Sequence, residues 1–192
     1  MGANKSKQSL KLSRTDLEFL EAQTTYDEKT IKKKYKAFRQ ACPNGCLTNG
    51  RFYHMYEKHF PGGNAEKYCE LVFKAYDTDQ NGFIDFKEFL LATHNAETGT
   101  PESKLKIAFN MYDTDRNGVI DLEEMTHCIQ AIYDMLGDRA SHPYGMTIVL
   151  ARERARNIFG QMDKDGDGNL TEAEFLEACL KDEDLLKFLV PQ

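Results

Sequence analysis

Tryptophan is missing from this chain of 192 residues, and only five prolines interrupt it. No apolar stretch approaches the roughly 18 residues that a membrane-spanning helix requires, and no basic-then-apolar signal sequence opens the chain. There is no CxxC pair. The five cysteines, Cys42, Cys46, Cys69, Cys128 and Cys179, are odd in number and irregularly spaced. Cys42 and Cys46 have no second Cys/His pair at zinc-finger spacing, which argues against a structural zinc site. Reduced thiols of a cytosolic chain are the simpler reading, and the N-x-S/T triplets at Asn4 and Asn169 are then chance matches. A basic excess is missing too: 25 Lys and Arg against 31 Asp and Glu give a net charge of −6, the wrong balance for a general nucleic-acid binder. Nor is there a P-loop, a nucleophile elbow or an HExxH motif. His54 and His59 have no catalytic partner in the sequence, so no enzyme is expected.

What the chain does have is a composition that folds. At 41% apolar and 11% aromatic residues it is too apolar for disorder, and its length suits one large domain or two small ones.

The decisive feature is an internal repeat. Three segments read DTDQNGFIDFKE from Asp77 to Glu88, DTDRNGVIDLEE from Asp113 to Glu124 and DKDGDGNLTEAE from Asp163 to Glu174. Each fits D-x-[DN]-x-[DN]-G-x5-E, the calcium loop of an EF-hand. Calcium takes about 6–8 oxygen ligands at roughly 2.3–2.6 Å, and the spacing supplies them. Positions 1, 3 and 5 offer short side-chain oxygens: Asp77, Asp79 and Asn81; Asp113, Asp115 and Asn117; Asp163, Asp165 and Asp167. Position 6 needs a positive φ, which Gly82, Gly118 and Gly168 accept. Position 7 gives a backbone carbonyl from Phe83, Val119 or Asn169. Position 9 is Asp85, Asp121 or Thr171, often acting through water, and position 12 gives a bidentate carboxylate from Glu88, Glu124 or Glu174. Magnesium is the alternative occupant at rest. A solvated acidic turn would explain neither the glycine nor the glutamate at fixed offsets in three copies.

Ile84, Ile120 and Leu170 at position 8 suit short β-bridges between neighbouring loops. Phe73, Phe109 and Phe159 each precede the first Asp by four residues, and Phe89, Met125 and Phe175 each follow the last Glu. These positions fall on the inner faces of entering and exiting helices. Three hands leave one unpaired, and a degenerate copy upstream supplies the partner. Its loop runs from Gln40 to Arg51, with Gly45 at position 6 and Leu47 at position 8, but Gln40, Cys42, Pro43 and Arg51 replace ligand chemistry. A cation at position 12 repels calcium, so this loop is read as metal-free and structural. The expected architecture is all-α: four EF-hands in two paired lobes, residues 1–97 and 98–192, with short β-bridges between paired loops. Gly99-Thr100-Pro101 separates the lobes, with Ser103 as candidate cap of the next helix, and Gly137 to Gly145 forms a loop inside the second lobe.

The chain begins MGANKS, which fits the N-myristoylation pattern M-G-x-x-x-[ST] with Gly2 as acceptor. Lys5, Lys7 and Lys11 follow, with no acid before Asp16. One myristoyl chain binds membranes with K on the order of 10⁴ M⁻¹, and each lysine near an anionic leaflet adds about 1 kcal/mol. Together they suffice for reversible anchoring; the alternative is a disordered soluble tail. Ser13 and Asp16 then open a helix carrying Leu17 and Leu20, and the segment from Lys29 to Arg39 is basic with an apolar stripe of Ile31, Tyr35 and Phe38.

Taken together, the chain resembles the neuronal calcium sensor family of recoverin, neurocalcin, visinin-like proteins and frequenin. The residues that carry the resemblance are MGANKS, the first loop disabled at Cys42-Pro43-Asn44-Gly45, FPGG at Phe60 to Gly63, the three intact loops, KLKIAFNMYDTDRNG and the ending DEDLLKFL. The resemblance implies a calcium–myristoyl switch: calcium opens the helix pairs, extrudes the acyl group and exposes a groove for an amphipathic helix of a target. Receptor kinases, cyclases, lipid kinases and channels are the target classes it implies. By analogy, the first lobe lines the groove with Tyr35, Phe38, Phe52, Tyr56, Phe60, Phe73, Phe89 and Leu90. Many family members carry Trp where Lys34 stands here, and recoverin's damaged fourth loop is intact in this chain, so three calcium ions are expected rather than two. A homodimer is compatible with this reading. A cytosolic calcium buffer, or a fixed subunit resembling calcineurin B, remain as alternatives. The localisation implied is cytoplasmic, with calcium-dependent association to the inner membrane face.

The charge then resolves into parts. Twelve of the 31 acids are loop ligands, leaving 19 against 25 bases. Three calcium ions bring the whole close to neutral, which lowers repulsion from an anionic surface.

Overall fold

The computed structural model describes residues 12–59, 63–137 and 144–190. Gly2, Lys5, Lys7, Lys11 and Phe60 lie outside these residues, as does most of the expected loop between Gly137 and Gly145. Among the described residues the chain forms four helix–loop–helix units. The first joins α2 (Glu28–Ala41) to α3 (Asn49–Tyr56), the second α4 (Glu66–Tyr76) to α5 (Phe86–Thr98), the third α6 (Pro101–Tyr112) to α7 (Leu122–Leu136), and the fourth α8 (Tyr144–Met162) to α9 (Glu172–Lys181). A preceding helix, α1 (Arg14–Gln23), and a final one, α10 (Glu183–Leu189), complete the set. The architecture is the all-α EF-hand arrangement expected.

Each entering helix stops for the same local reason. The amide of the first loop residue still closes the last helical turn, Asp77 to Phe73 O at 2.9 Å and both Asp113 to Phe109 O and Asp163 to Phe159 O at 2.8 Å. The backbone then leaves the helix, and the phenylalanine four residues back is buried in all three units. The exiting helices start at position 9 of the loop. Asp85, Asp121 and Thr171 are N-caps, each forming a reciprocal capping box with the glutamate three residues on. In the first unit Thr48 caps α3 through Arg51 N at 3.4 Å, so position 9 keeps its capping role where the metal ligands have gone.

The four loops pair through two short antiparallel ladders. Strand β1 (Cys46–Leu47) meets β2 (Ile84–Asp85), with Leu47 opposite Ile84, and β3 (Val119–Asp121) meets β4 (Asn169–Thr171), with Ile120 opposite Leu170. All four of these position-8 side chains are essentially inaccessible to solvent. The degenerate first loop thus supplies the second with a ladder and a buried side chain.

Aromatic rings tie the first pair of hands together. Phe38 lies 5.5 Å from Phe86 and 5.1 Å from Phe89, while Phe52 lies 5.0 Å from Tyr56 and 5.9 Å from Phe73. Helix α1 adds Leu17 and Leu20 to this core and is capped by Ser13, as its sequence suggested. In the second half, α7 and α8 form the longest packed pair, and α6 rests on α9. The halves meet where α4 packs on α6 and α7. Gly63 is needed there: a Cβ on it would fall 1.9 Å from Met135 O, and the next amide, Asn64, donates to Asp134 O at 2.8 Å.

One local expectation is corrected. Helix α6 is capped by Thr100, whose hydroxyl accepts from Ser103 N at 3.3 Å, and Pro101 occupies the first turn. Ser103 instead turns its hydroxyl to Asn95 Oδ1 and Thr100 O, at 2.5 and 2.9 Å. Proline is favoured in the first helical turn because no intrahelical donor is lost there, which places the cap one residue before it.

Since Leu47 is buried opposite Ile84, Leu47→Ala should cost about 2–5 kcal/mol in urea unfolding and weaken calcium binding at the intact second loop. Unaltered unfolding and titration would show that the first loop is dispensable to its neighbour.

Candidate metal centres

Three groups of acids converge in the described residues, and they are the three repeats. In each, one carboxylate oxygen from position 1, one from position 3 and one from position 12 lie within 4.8 Å of one another: Asp77, Asp79 and Glu88; Asp113, Asp115 and Glu124; Asp163, Asp165 and Glu174. Two oxygens bound to one calcium at roughly 2.3–2.6 Å are at most about 5 Å apart, so each set fits a single ion of that size. The first loop contains no acid from Gln40 to Arg51.

The backbone of each loop is wound around its first aspartate. Asp77 accepts from the amides of Asn81 and Gly82 at 3.1 and 2.9 Å, Asp113 from Asn117 and Gly118 at 3.0 Å each, and Asp163 from Gly166 and Gly168 at 2.8 and 3.1 Å. This folding requires positive φ at position 6, met by Gly82, Gly118 and Gly168 at 81°, 90° and 84°, and by Gly45 at 82° in the first loop. It also requires positive φ at position 4. There the fourth loop has Gly166, but the second and third have Gln80 and Arg116 at 57° and 58°. Side chains at positions 3 and 5 turn inward by accepting amides two residues on: Asp79 from Asn81 N at 3.1 Å and Asn81 from Phe83 N at 2.9 Å, with the same pattern at Asp115, Asn117, Asp165 and Asp167.

The position-12 glutamates do two jobs. In the second loop Oε2 of Glu88 accepts from Asp85 N at 2.9 Å and Oε1 from the amide and hydroxyl of Thr78, both at 2.8 Å. Glu124 repeats this with Asp121 N and with Thr114. In the fourth loop position 2 is Lys164, which offers Glu174 only an amide, at 3.2 Å. The threonines at position 2 were not singled out in the sequence, although the repeated Asp-Thr-Asp was a legible signal.

Burial separates the loops. Asp77 and Asp113 are only 6% exposed and Glu124 8%, whereas Asp163 and Glu174 are half-buried. Desolvation raises the carboxyls of Asp77 and Asp113 above the ordinary aspartate range, against the amides that lower them. Glu174 is held low, chiefly by the amide and hydroxyl of Thr171. The carbonyl residues Phe83, Val119 and Asn169 sit at the turn into each strand, Phe83 with its ring 42% exposed.

The residues expected to line a groove divide by exposure. Phe38, Phe52, Phe73 and Leu90 are buried, Leu90 completely, while Tyr35, Tyr56 and Phe89 are partly exposed. Burial raises the hydroxyl of Tyr56 above the ordinary range. Lys34 lies over the ring of Tyr26 at 4.5 Å and 3.8 Å from Glu97, a cation over a ring beside a carboxylate.

Each of Glu88→Gln, Glu124→Gln and Glu174→Gln should remove one bound calcium from three in equilibrium dialysis; unchanged stoichiometry would refute the loop assignment. Acidification should weaken calcium binding at the second and third loops, because the raised carboxyls of Asp77 and Asp113 take up protons at a higher pH than ordinary aspartates do. Calorimetric titration of variants with a single intact loop, at neutral and at acid pH, checks this; binding independent of pH would refute it.

No helix among the described residues is long and apolar enough to cross a membrane. The sequence profile of the EF-hand domain pair matches residues 66–126 and 102–180. Neuronal calcium sensor 1 of Lymnaea stagnalis is 39% identical over 183 residues, which is 95% of each chain. That coverage takes in the degenerate first hand as well as the three acidic ones, and the chain belongs to the neuronal calcium sensor family within the EF-hand superfamily.

Proposed function

We propose that this calcium sensor fills three loops and regulates a membrane-associated target through a calcium–myristoyl switch. As a family member it is a calcium-binding regulatory protein and not an enzyme. The observation that carries the stoichiometry is the convergence of three acidic groups, each at the spacing of one calcium, beside a first loop without acids. The proposed ligands are Asp77, Asp79, Asn81, Phe83 O, Asp85 and Glu88; Asp113, Asp115, Asn117, Val119 O, Asp121 and Glu124; and Asp163, Asp165, Asp167, Asn169 O, Thr171 and Glu174. Magnesium is the competing occupant of these loops at rest.

The lipid arm of the proposal rests on the sequence at Gly2, Lys5, Lys7 and Lys11. The target arm rests on the first pair of hands, within the lobe of residues 1–97. Tyr35, Tyr56 and Phe89 offer apolar surface, with Phe38, Phe52, Phe73 and Leu90 beneath them, and opening of the helix pairs would widen that surface for an amphipathic helix. The lobe of residues 98–192 contributes two of the three calcium sites. A fixed subunit of the calcineurin B kind would bind calcium in its first hand, which Arg51 and the missing acids oppose. A buffer would need neither the acyl group nor a groove.

Liposome co-sedimentation of acylated and unacylated protein, with calcium and with chelator, tests the switch. Calcium should move the acylated form to anionic vesicles and leave the unacylated form largely in solution. No calcium effect on the acylated form would refute it.

A further inference from the structure

Arg116 occupies position 4 of the third loop, yet its side chain serves the second. Its Nη2 donates to Lys74 O at 2.6 Å and to Asp77 O at 2.8 Å, and Nη1 reaches Thr78 O at 3.4 Å. These carbonyls form the C-terminal end of α4 and the entry to the second loop. Lys74 O has a specific vacancy for this donor. Its ordinary helical partner would be the amide of Thr78, four residues on, but that amide donates to Glu88 Oε1 at 2.8 Å. The Asp77 carbonyl is part-buried and needs a partner, and the C-terminus of α4 favours a cation; the guanidinium supplies both.

The backbone of Arg116 is held at φ 58°, a conformation uncommon for a bulky side chain. Gln80 takes the same φ in the second loop, and Gly166 takes it in the fourth. The neighbours of Arg116 are Asp115 and Asn117, the proposed ligands at positions 3 and 5. A cation held by both clamps the peptide on each side of Arg116 and fixes the direction of its side chain. A cleft of about 420 Å³ between the two loops, lined by Asp77, Gln80, Gly82, Thr114, Asp115 and Arg116, runs alongside.

We infer that Arg116 is a positioning residue that couples the second and third calcium loops, so that filling either one raises the affinity of the other. The inference rests on the reading that these two loops bind calcium. The ladders β1–β2 and β3–β4 join the first loop to the second and the third to the fourth; the Arg116 fork is a link between loops of different ladders. By linkage the coupling is reciprocal, and its size is expected to be about tenfold.

The chain's lack of tryptophan makes the test direct. Phe83→Trp places a single reporter at position 7 of the second loop, where the ligand is the backbone carbonyl and the ring is 42% exposed. Calcium titrations of the full-length reporter protein are followed by its fluorescence, with the third loop intact or disabled by Glu124→Gln. With Arg116 present, disabling the third loop should shift the second-loop midpoint about tenfold to higher calcium. In Arg116→Gly, which suits the positive φ and removes only the side chain, the shift should fall below about twofold. Arg116→Lys, which keeps the charge but not the planar fork, should behave like the glycine variant. A full tenfold shift retained in Arg116→Gly overturns the coupling role, and one retained in Arg116→Lys overturns the fork as its carrier. A reporter that never responds to calcium, in protein with unchanged far-ultraviolet dichroism, overturns the calcium reading of the second loop itself.

Discussion

The position-12 carboxylate is the group on which each hand turns. It sits at the third residue of the exiting helix, so one oxygen completes the helix cap. The other crosses the loop and holds the amides just after the entering helix. A single side chain therefore joins the end of one helix to the start of the next, and it is the same side chain the metal needs. Charge makes this arrangement conditional. Several carboxylates within hydrogen-bond distance of the same few amides repel one another, and only a cation at their centre turns that repulsion into attraction. Glu88, Glu124 and Glu174 meet both requirements; Arg51 meets neither, and its loop retains only the cap at Thr48 and the ladder at Leu47.

Pairing spreads this local chemistry. Buried Leu47, Ile84, Ile120 and Leu170 bring loops together two by two, so a change in one loop is felt by its neighbour through a ladder only two or three residues long. The aromatic contacts of Phe38, Phe52, Phe73 and Phe86 continue from the first ladder into the helices. That places the partly exposed Tyr35, Tyr56 and Phe89 on elements whose angle depends on the second loop. The contact of α4 with α6 and α7, the close approach at Gly63 and the fork of Arg116 then join the two pairs.

The loops differ in what a cation must displace. In the second and third, threonine at position 2 adds a hydroxyl to the glutamate, and the first aspartate is nearly buried. In the fourth, Lys164 replaces the threonine and the acids are more open to water. Sites built from one motif on one chain are therefore chemically unequal, and desolvation raises the carboxyls of Asp77 and Asp113 above the ordinary aspartate range.

The sequence by itself determined the four hands, their pairing and the three acidic sites, because each depends on short-range geometry. The glycine that permits a turn, the carboxylates that follow it and the branched residue between them lie within twelve positions, and their offsets are set by the backbone. Even the degenerate loop was legible, since Gly45 and Leu47 kept their places. The capping of α6 by Thr100 was misread because Ser103 and Thr100 have similar chemistry, and only the course of the backbone distinguishes them. What tertiary structure decided was long-range. Nothing in the spacing says that Arg116 reaches 42 residues back to Lys74, that Gly63 must admit the carbonyl of Met135, or that Leu90 is sealed while Phe89 beside it is partly exposed. Those outcomes depend on how helices distant in the chain lie against one another, and hydrophobic periodicity names the buried face of a helix without naming the partner that covers it.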